Sequence, residues 1–486
     1  MRYNNLEYGE VCLNGSEILE NCVKEHNHEA VLTEQFGYAT LVKEIINNKY
    51  SEKPLAYVHT FGCQQNVSDS ERLKGLLDLM GYDFTDEITQ ADLVLYNTCA
   101  VREHAEDRVF GNVGILKALK REKPDMLICV CGCMAQQMRI SDKIKKSYPY
   151  VDILFGTQVR HRFAEFVYKK LTFGKRIFEN QECEHEVYEG IPLKRDGTFK
   201  AWLPIMEGCN NFCSYCIVPY VRGREHSRSP EAVINEAKML LQSGAKEIML
   251  LGQNVNSYGL GSESMNFAQL LREINALEGD FRIRFMTSHP KDCSEELLKA
   301  MSECEKVEKH LHLPVQCGSN RILKLMNRRY TKEQYLELVK KAKALMPDLT
   351  LTSDIIVGFP GETEEDFNET MSLIEEVRYH SLFTFIFSKR PGTPAAVMED
   401  NETKEDKSRR FAALLKKQEE ISREMNPTFI GKEVKLLIEE LGENNEVIGR
   451  SLENLVVHIE GSEQDIGNFV LAKITEFDGV LHGVRI

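Results

Sequence analysis

The chain has 486 residues, 42% of them hydrophobic, with a formal net charge of −14; at about 150 residues per domain, that length holds about three globular cores. The acidic balance excludes a chain-wide polycationic nucleic-acid binder and confines phosphate contact to short clusters such as Arg160/Arg162, Arg222/Arg224/Arg228, Arg328/Arg329, Lys389/Arg390 and Arg409/Arg410. MRYNNLEYGE has no apolar leader core and no run of about 18 apolar residues follows, so no membrane partner and a cytoplasmic address are expected; there, fourteen cysteines read as metal ligands, reactive thiols or buried bystanders.

Residues 1–53 are polar and weakly periodic, with Cys12, Cys22, His26 and His28 at no familiar metal spacing, and read as an extension of unknown role. From residue 55 the pattern sharpens. LAYVHTFG reads as a strand, and Ser68 with Glu71 as a capping box before Leu73, Leu76, Leu77 and Met80, ended by Gly81. DLVLYNT (92–98), a helix to about 122, MLICVCG (126–132), a helix near 140–146 and VDILFG (151–156) continue the alternation. This predicts an α/β domain over 54–170 built on a doubly wound parallel sheet. Cys63, Cys99 and Cys133 each follow a strand, one βα unit apart. Carboxyl ends of parallel strands share one edge, so the three thiols converge there, although any one of them alone reads as a core cysteine.

Residues 171–198 are charged and aperiodic and read as a linker. A second alternation fills 199–428, with strands at 202–208, 247–252, 281–287, 310–315, 349–358 and 381–388, and helix punctuation such as Pro230 and Gly244. Six βα units predict a partial or complete barrel whose site lies at the strand carboxyl ends. GCNNFCSYC (208–216) is the loop after its first strand. Cys209, Cys213 and Cys216 offer three thiolates and an open fourth position, the pattern of a 4Fe-4S cluster that takes an exogenous ligand; a structural zinc with His226 as fourth ligand is the alternative. Gly252, Gln253 and Asn254 end the second strand, Ser288 and His289 the third, and Asp354 with GFPGE (358–362) marks the fifth.

A helix over about 402–424 leads into short alternating runs separated by Gly and Asn, read as a small all-β barrel over 429–486. It holds five Lys or Arg (432, 435, 450, 473 and 485) against eleven Asp or Glu, an odd balance for an RNA-binding module.

CNNFCSYC, with aromatic Tyr215 before the last cysteine, resembles the signature of radical S-adenosylmethionine enzymes. Over about 55–486 the chain resembles the methylthiotransferases, which join a three-cysteine domain, a radical domain and a TRAM barrel. FGCQQNVSDSE, NTCAVRE, GCMAQQ, VPYVRGREHSR, LLGQNVNSY, DIIVGFPGET and SKRPGTPAA are most similar to members that act on N6-(dimethylallyl)adenosine in tRNA. The resemblance implies two 4Fe-4S clusters, one on Cys209, Cys213 and Cys216 and one, carrying the sulfur to be transferred, on Cys63, Cys99 and Cys133. It implies methylthiolation of C2 of the prenylated adenosine beside the anticodon, with one S-adenosylmethionine as methyl donor and another as radical source. Tyr215, Gly252, Gln253, Asn254, Ser288, Asp354 and Gly358 become cofactor-binding candidates, with no side-chain acid or base assigned. The implied partners are tRNA and a reductant such as flavodoxin or ferredoxin; the sulfur source stays open.

Two other readings keep parts of this. The same chemistry on threonylcarbamoyl-adenosine or a ribosomal-protein aspartate is disfavoured by CQQN and GQNVN, and a zinc-stabilised RNA-binding protein would need no catalysis. Where relatives commonly read PVQSGS this chain reads PVQCGS, and Cys317 is taken as an innocent small substitution. Period two does not choose among Cys129, Cys131 and Cys133; the strand-end position and the GCMAQQ match select Cys133.

Overall fold

The computed structural model describes residues 15–100, 105–180, 189–197, 199–261, 265–443 and 445–486, with side chains from residue 29 onward, Ala105 excepted. Cys12 and the side chains of Cys22, His26 and His28 lie outside the described residues.

The first module runs α1 (Gly15–Lys49), β1 (Leu55–Thr60), α2 (Gln64–Leu79), β2 (Asp83–Phe84), β3 (Leu93–Thr98), α3 (Ala105–Glu122), β4 (Leu127–Gly132), α4 (Met138–Ser147), β5 (Ile153–Phe155), α5 (Phe163–Phe173) and β6 (Ile177–Glu179). Its strands form one parallel sheet in the order β2-β1-β3-β4-β5-β6. Period two divides β3 between two cores: Leu93 and Leu95 join Leu77 and Phe163, while Val94 and Tyr96 join Val109 and Leu116. Helices on both faces explain why β3 and β4 are apolar without alternation.

Three expectations are corrected here. Within the N-terminal extension Gly15–Lys49 is a helix, and Ala39, Val42 and Ile46 pack into the core that holds Leu77; their three- and four-residue steps make one narrow helical stripe within polar sequence. The linker adds strand β6, and residues 189–197 then lie along α2, where the Lys194 N–H donates to the Glu71 carbonyl (3.0 Å). The Ser68/Glu71 capping box is not one: α2 begins at Gln64 with Cys63 as its N-cap, and Ser68 sits inside the helix with its hydroxyl buried.

The second module contains β7 (Lys200–Pro204), β8 (Met206–Glu207), α6 (Val218–Arg222), β9 (His226–Ser227), α7 (Pro230–Gln242), β10 (Glu247–Leu251), α8 (Phe267–Asn275), β11 (Arg282–Phe285), α9 (Glu295–Glu303), β12 (His310–His312), α10 (Asn320–Leu325), α11 (Lys332–Leu345), β13 (Thr350–Val357), α12 (Glu364–Val377), β14 (Ser381–Ile386) and α13 (Lys404–Met425). Its parallel sheets, β11-β10-β7 and β12-β13-β14, are bridged where Ile283 pairs with Val307. β7 and β14 end the two orders, so the barrel is partial. Outward Leu203, Ile248, Leu250 and Ile283 pack beneath the helices, while the inner floor is charged: Glu247 pairs with Arg282 (2.5 Å) and Arg284 (3.4 Å).

The third module is a closed antiparallel-rich barrel of β15 (Glu433–Leu441), β16 (Glu446–Arg450), β17 (Val456–Glu460), β18 (Phe469–Phe477) and β19 (Leu481–Arg485). It caps the charged floor: Arg282 pairs with Glu439 (3.0 Å) and donates to the Arg450 carbonyl (2.6 Å). No helix among the described residues is long and apolar enough to cross a membrane.

Candidate active site: two cysteine loops

The carboxyl ends of β1, β3 and β4 are in register, Thr60 opposite Asn97 and Thr98 opposite Gly132, which delivers Cys63, Cys99 and Cys133 to one edge. Two glycines make the approach possible. A Cβ on Gly62 (φ 132°) would overlap the Cys99 Cβ and stand 3.0 Å from its Sγ, and one on Gly132 (φ 96°) would overlap Asn97 Oδ1 and the Thr98 carbonyl. The turn at Gly132 also breaks the strand's alternation: Cys129 and Cys131 stay in the core with Leu77, whereas Cys133 packs elsewhere.

Asn66 and Asn97 brace this edge. Asn66 Nδ2 donates to Asn97 Oδ1 (3.1 Å) and the Thr98 carbonyl (2.9 Å), and Asn97 Nδ2 donates to the Asn66 carbonyl (2.8 Å). Asn66 Oδ1 accepts from the Cys63 thiol (3.3 Å). Hydrogen bonding from Cys99 and the nearby Arg222 charge bring the Cys63 thiol down to about 6, while burial pushes Cys133 up.

The radical-type loop follows β8. Cys209 N–H donates to the Gly223 carbonyl (3.1 Å), Cys216 N–H to the Cys213 carbonyl (3.0 Å) and Ser214 N–H to the Met326 carbonyl (3.0 Å). Phe212 is left-handed (φ 47°), a conformation costing about 1–2 kcal/mol for a residue with a Cβ, and Asn327 Nδ2 holds its carbonyl at 2.9 Å. Burial pushes the Cys209 thiol up to about 11 and Cys216 to about 12. Arg328 Nη1 lies 3.4 Å from the Cys213 sulfur.

Beside this loop a group of buried polar atoms lacks hydrogen-bond partners: Asn254 Oδ1, Ser288 Oγ, His289 Nε2, Asn211 Nδ2 and both amide atoms of Asn256. Such atoms await a ligand or water. Asn254 and Ser288 are among the candidates read from the sequence; Asn211 and Asn256 are not, although both lie inside the motif loops GCNNFC and LLGQNVNSY. His289 accepts from the Lys291 N–H through Nδ1 (3.2 Å), and burial, then Arg328, Lys291 and Arg329, push it down to about 2, so it is neutral.

The other candidates are placed differently. Gln253 Oε1 accepts from the Gly208 N–H and so anchors the cysteine loop. Gly252 lies against Met206. Tyr215 meets Phe359 edge-on at 6.5 Å. Asp354 stands across the barrel, 3.5 Å from His312 Nε2. Gly358 turns at φ 71° against the Lys407 stem, and its N–H goes to Glu362 (2.7 Å). Cys317 is fully buried beside Thr370 (3.4 Å) with its thiol pushed up to about 12, a packing role.

The two loops meet. Cys133 shares a small apolar cluster with Ala100, Ile217 and Val221, and Thr157 donates to the Val221 carbonyl. His226 pairs with Glu207 in the β8–β9 ribbon. Among the described residues no three His, Cys, Asp or Glu side chains are arranged to close on one metal ion. In a 4Fe-4S cluster each thiolate binds a different iron, so the sulfurs stand farther apart than around one ion, and two all-thiol triads fit that chemistry. The unpartnered amide, hydroxyl and imidazole atoms beside one triad fit a polar ligand such as S-adenosylmethionine.

The comparisons agree with this division. Models for the Radical SAM superfamily, Uncharacterized protein family UPF0004 and the TRAM domain match residues 203–374, 55–156 and 427–479. A tRNA-2-methylthio-N(6)-dimethylallyladenosine synthase of Acetivibrio thermocellus is 52% identical over 429 residues, covering 88% of this chain and 89% of the relative. The enzyme of that name from Clostridioides difficile is 48% identical over 433 residues, covering 88% and 91%. The radical S-adenosylmethionine methyltransferase TsrM of Kitasatospora setae, solved with cobalamin and a 4Fe-4S cluster, shares the fold at TM-score 0.53 and 15% identity over 71% of this chain and 77% of that one. With half its residues identical over nearly nine-tenths of its length, the chain belongs to the radical S-adenosylmethionine methylthiotransferases, in the family of the tRNA-2-methylthio-N(6)-dimethylallyladenosine synthases.

Proposed function

We propose that this chain methylthiolates C2 of N6-(dimethylallyl)adenosine beside the anticodon of tRNA. Cys209, Cys213 and Cys216 hold the cluster that binds S-adenosylmethionine, and Cys63, Cys99 and Cys133 hold a second cluster that carries sulfur. The observation that carries this reading is the meeting of two three-thiol loops at Cys133 and Ile217, because inserting sulfur at an aromatic carbon needs hydrogen abstraction and a sulfur source within reach of one atom. When bound, the cofactors supply hydrogen abstraction, a methyl group and the sulfur.

The protein's part is to hold and orient. Asn211, Asn254, Asn256 and Ser288 offer buried polar atoms to the polar end of S-adenosylmethionine. Across the barrel, Asp354 is opposite Phe383 and Ile356 opposite Phe385 in the sheet, and both phenylalanines are exposed on that inner face, a surface on which a base can stack. A one-electron reductant such as flavodoxin or ferredoxin and a cytoplasmic setting complete the proposal.

Two measurements test it. The reconstituted chain should hold about eight irons and no stoichiometric zinc. In a bacterial strain lacking its own enzyme, this chain should restore 2-methylthio-N6-dimethylallyladenosine to tRNA, and Cys63→Ala or Cys213→Ala should not. Restoration of a different methylthio nucleoside would overturn the substrate, and a colourless zinc protein would overturn the chemistry.

A further inference from the structure

Arg222 ends α6, six residues past Cys216, yet its partners belong to the first module. Its side chain is 3% exposed; Nη2 lies 2.7 Å from Asp69 Oδ2 and 3.3 Å from Asn66 Oδ1. Asp69 Oδ1 is 3.8 Å from Arg160 Nε, and Arg160 in turn forks onto Glu207, two residues before Cys209. Two guanidinium groups and two carboxylates thus join the loops, and within that set charge is balanced. Arg222 Nη1 is left over: it is buried and makes no hydrogen bond to an oxygen or nitrogen, and the guanidinium is within hydrogen-bonding reach of the Cys133 thiol. The thiols of Cys63 and Cys133 lie within reach of its charge. A buried guanidinium N–H without an acceptor is destabilising unless a ligand supplies one.

We propose that Arg222 Nη1 donates a hydrogen bond to the anionic cluster on Cys63, Cys99 and Cys133, so that the radical module supplies a hydrogen-bond donor to the cofactor of the other module. The inference rests on the reading of those thiols as cluster ligands. Three thiolates and the inorganic sulfides give the cluster negative charge, and hydrogen bonds to its sulfurs favour the reduced form. Asn66 is placed to orient the arm, since its Oδ1 accepts from both Cys63 and Arg222.

The test uses the full chain with Cys209, Cys213 and Cys216 replaced by Ala, leaving one triad. After anaerobic reconstitution it should hold about four irons, and its one-electron reduction by dithionite can be followed by electron paramagnetic resonance. Adding Arg222→Gln should leave the iron count unchanged and move the midpoint to a more negative potential. Arg160→Gln, which opens the same interface without removing Nη1, should move it less. An unchanged midpoint in Arg222→Gln, or an equal shift in Arg160→Gln, overturns the contact. Should Arg222→Gln fail to fold, Arg222→Lys keeps a cation while removing the fork; a negative shift supports the inference and an unchanged midpoint overturns it. A starting chain without iron overturns the reading of the thiols and the inference with it.

Discussion

Cys133 and Ile217 pack in one apolar cluster, so the last thiol of the first module meets the residue that follows the last cysteine of the radical loop. Ile217 is 6% exposed. Truncating it to alanine removes the filler between the two loops, and the expected loss of stability is about 2–3 kcal/mol, at the low end for a buried isoleucine. The functional effect should be uneven. Cleavage of S-adenosylmethionine needs only the radical triad, whereas methylthiolation needs both at a fixed spacing. Ile217→Ala should therefore raise the ratio of 5′-deoxyadenosine to methylthiolated nucleoside in single-turnover assays. An equal fall in both products would mean that the spacing is set elsewhere.

Gly62 offers a sharper separation of the two sites. Its φ of 132° is poorly tolerated by other residues, and its missing Cβ is the space that Cys99 occupies. Gly62→Ala should push Cys99 off the shared edge and lose one cluster while the radical loop, carried on another module, stays intact. Iron should fall from about eight to about four per chain, S-adenosylmethionine cleavage should survive, and methylthiolation should drop at least tenfold. Retention of all the iron would show that the edge relaxes around the added methyl.

The sheet edge was legible because β3 and β4 open on the apolar runs LVLY and LICV with a cysteine just past each strand, and the radical loop because three thiols fall within eight residues. Helix α1 was not: its buried face is a thin stripe through Ala39, Val42 and Ile46, which the polar majority hides. Ser68 and Glu71 imitated a capping box, while the real N-cap, Cys63, makes no side-chain capping bond and leaves no cap signal. Asn211 and Asn256 stand out only as unpartnered atoms, which is a property of tertiary packing. Arg222 is an ordinary arginine in the sequence, and its partner Asp69 lies 153 positions away.

Glu71 gives the fold a pH dependence whose sign follows from its burial. It is 1% exposed, Oε1 accepts from the Asp196 N–H (3.3 Å), Oε2 has no partner, and burial pushes its carboxyl up to about 7. An unfolded glutamate titrates near about 4.3, so between the two values the folded chain binds the extra proton. The Glu71 contribution to stability should therefore fall as pH rises from about 4.3 to about 7 and level off above. Glu71→Gln keeps the neutral form at every pH. Relative to the parent it should gain with rising pH, up to on the order of 3 kcal/mol at pH 8. Denaturant melts at pH 5 and pH 8 check this, and a difference independent of pH would mean that Glu71 is ionised in the folded chain.

The acidic third module makes a quantitative demand on RNA binding. Four of its five cations are already paired: Lys432 with Asp348 (2.6 Å), Lys435 with Asp280 (2.5 Å), Arg450 with Glu439 (3.3 Å) and Arg485 with Asp465 (2.6 Å). Lys473 is exposed and has no ion-pair partner among the described residues. Each phosphate contact releases counterions and steepens the fall of affinity with salt. Lys473→Ala should then lower the slope of log affinity for tRNA against log salt by about 1, the largest change available within this module. Lys432→Ala frees Asp348 rather than a phosphate, so it should weaken docking of the barrel on the radical module and leave the slope nearly unchanged. A larger slope change for Lys432 than for Lys473 would mean that the ion pair to Asp348 opens when RNA binds.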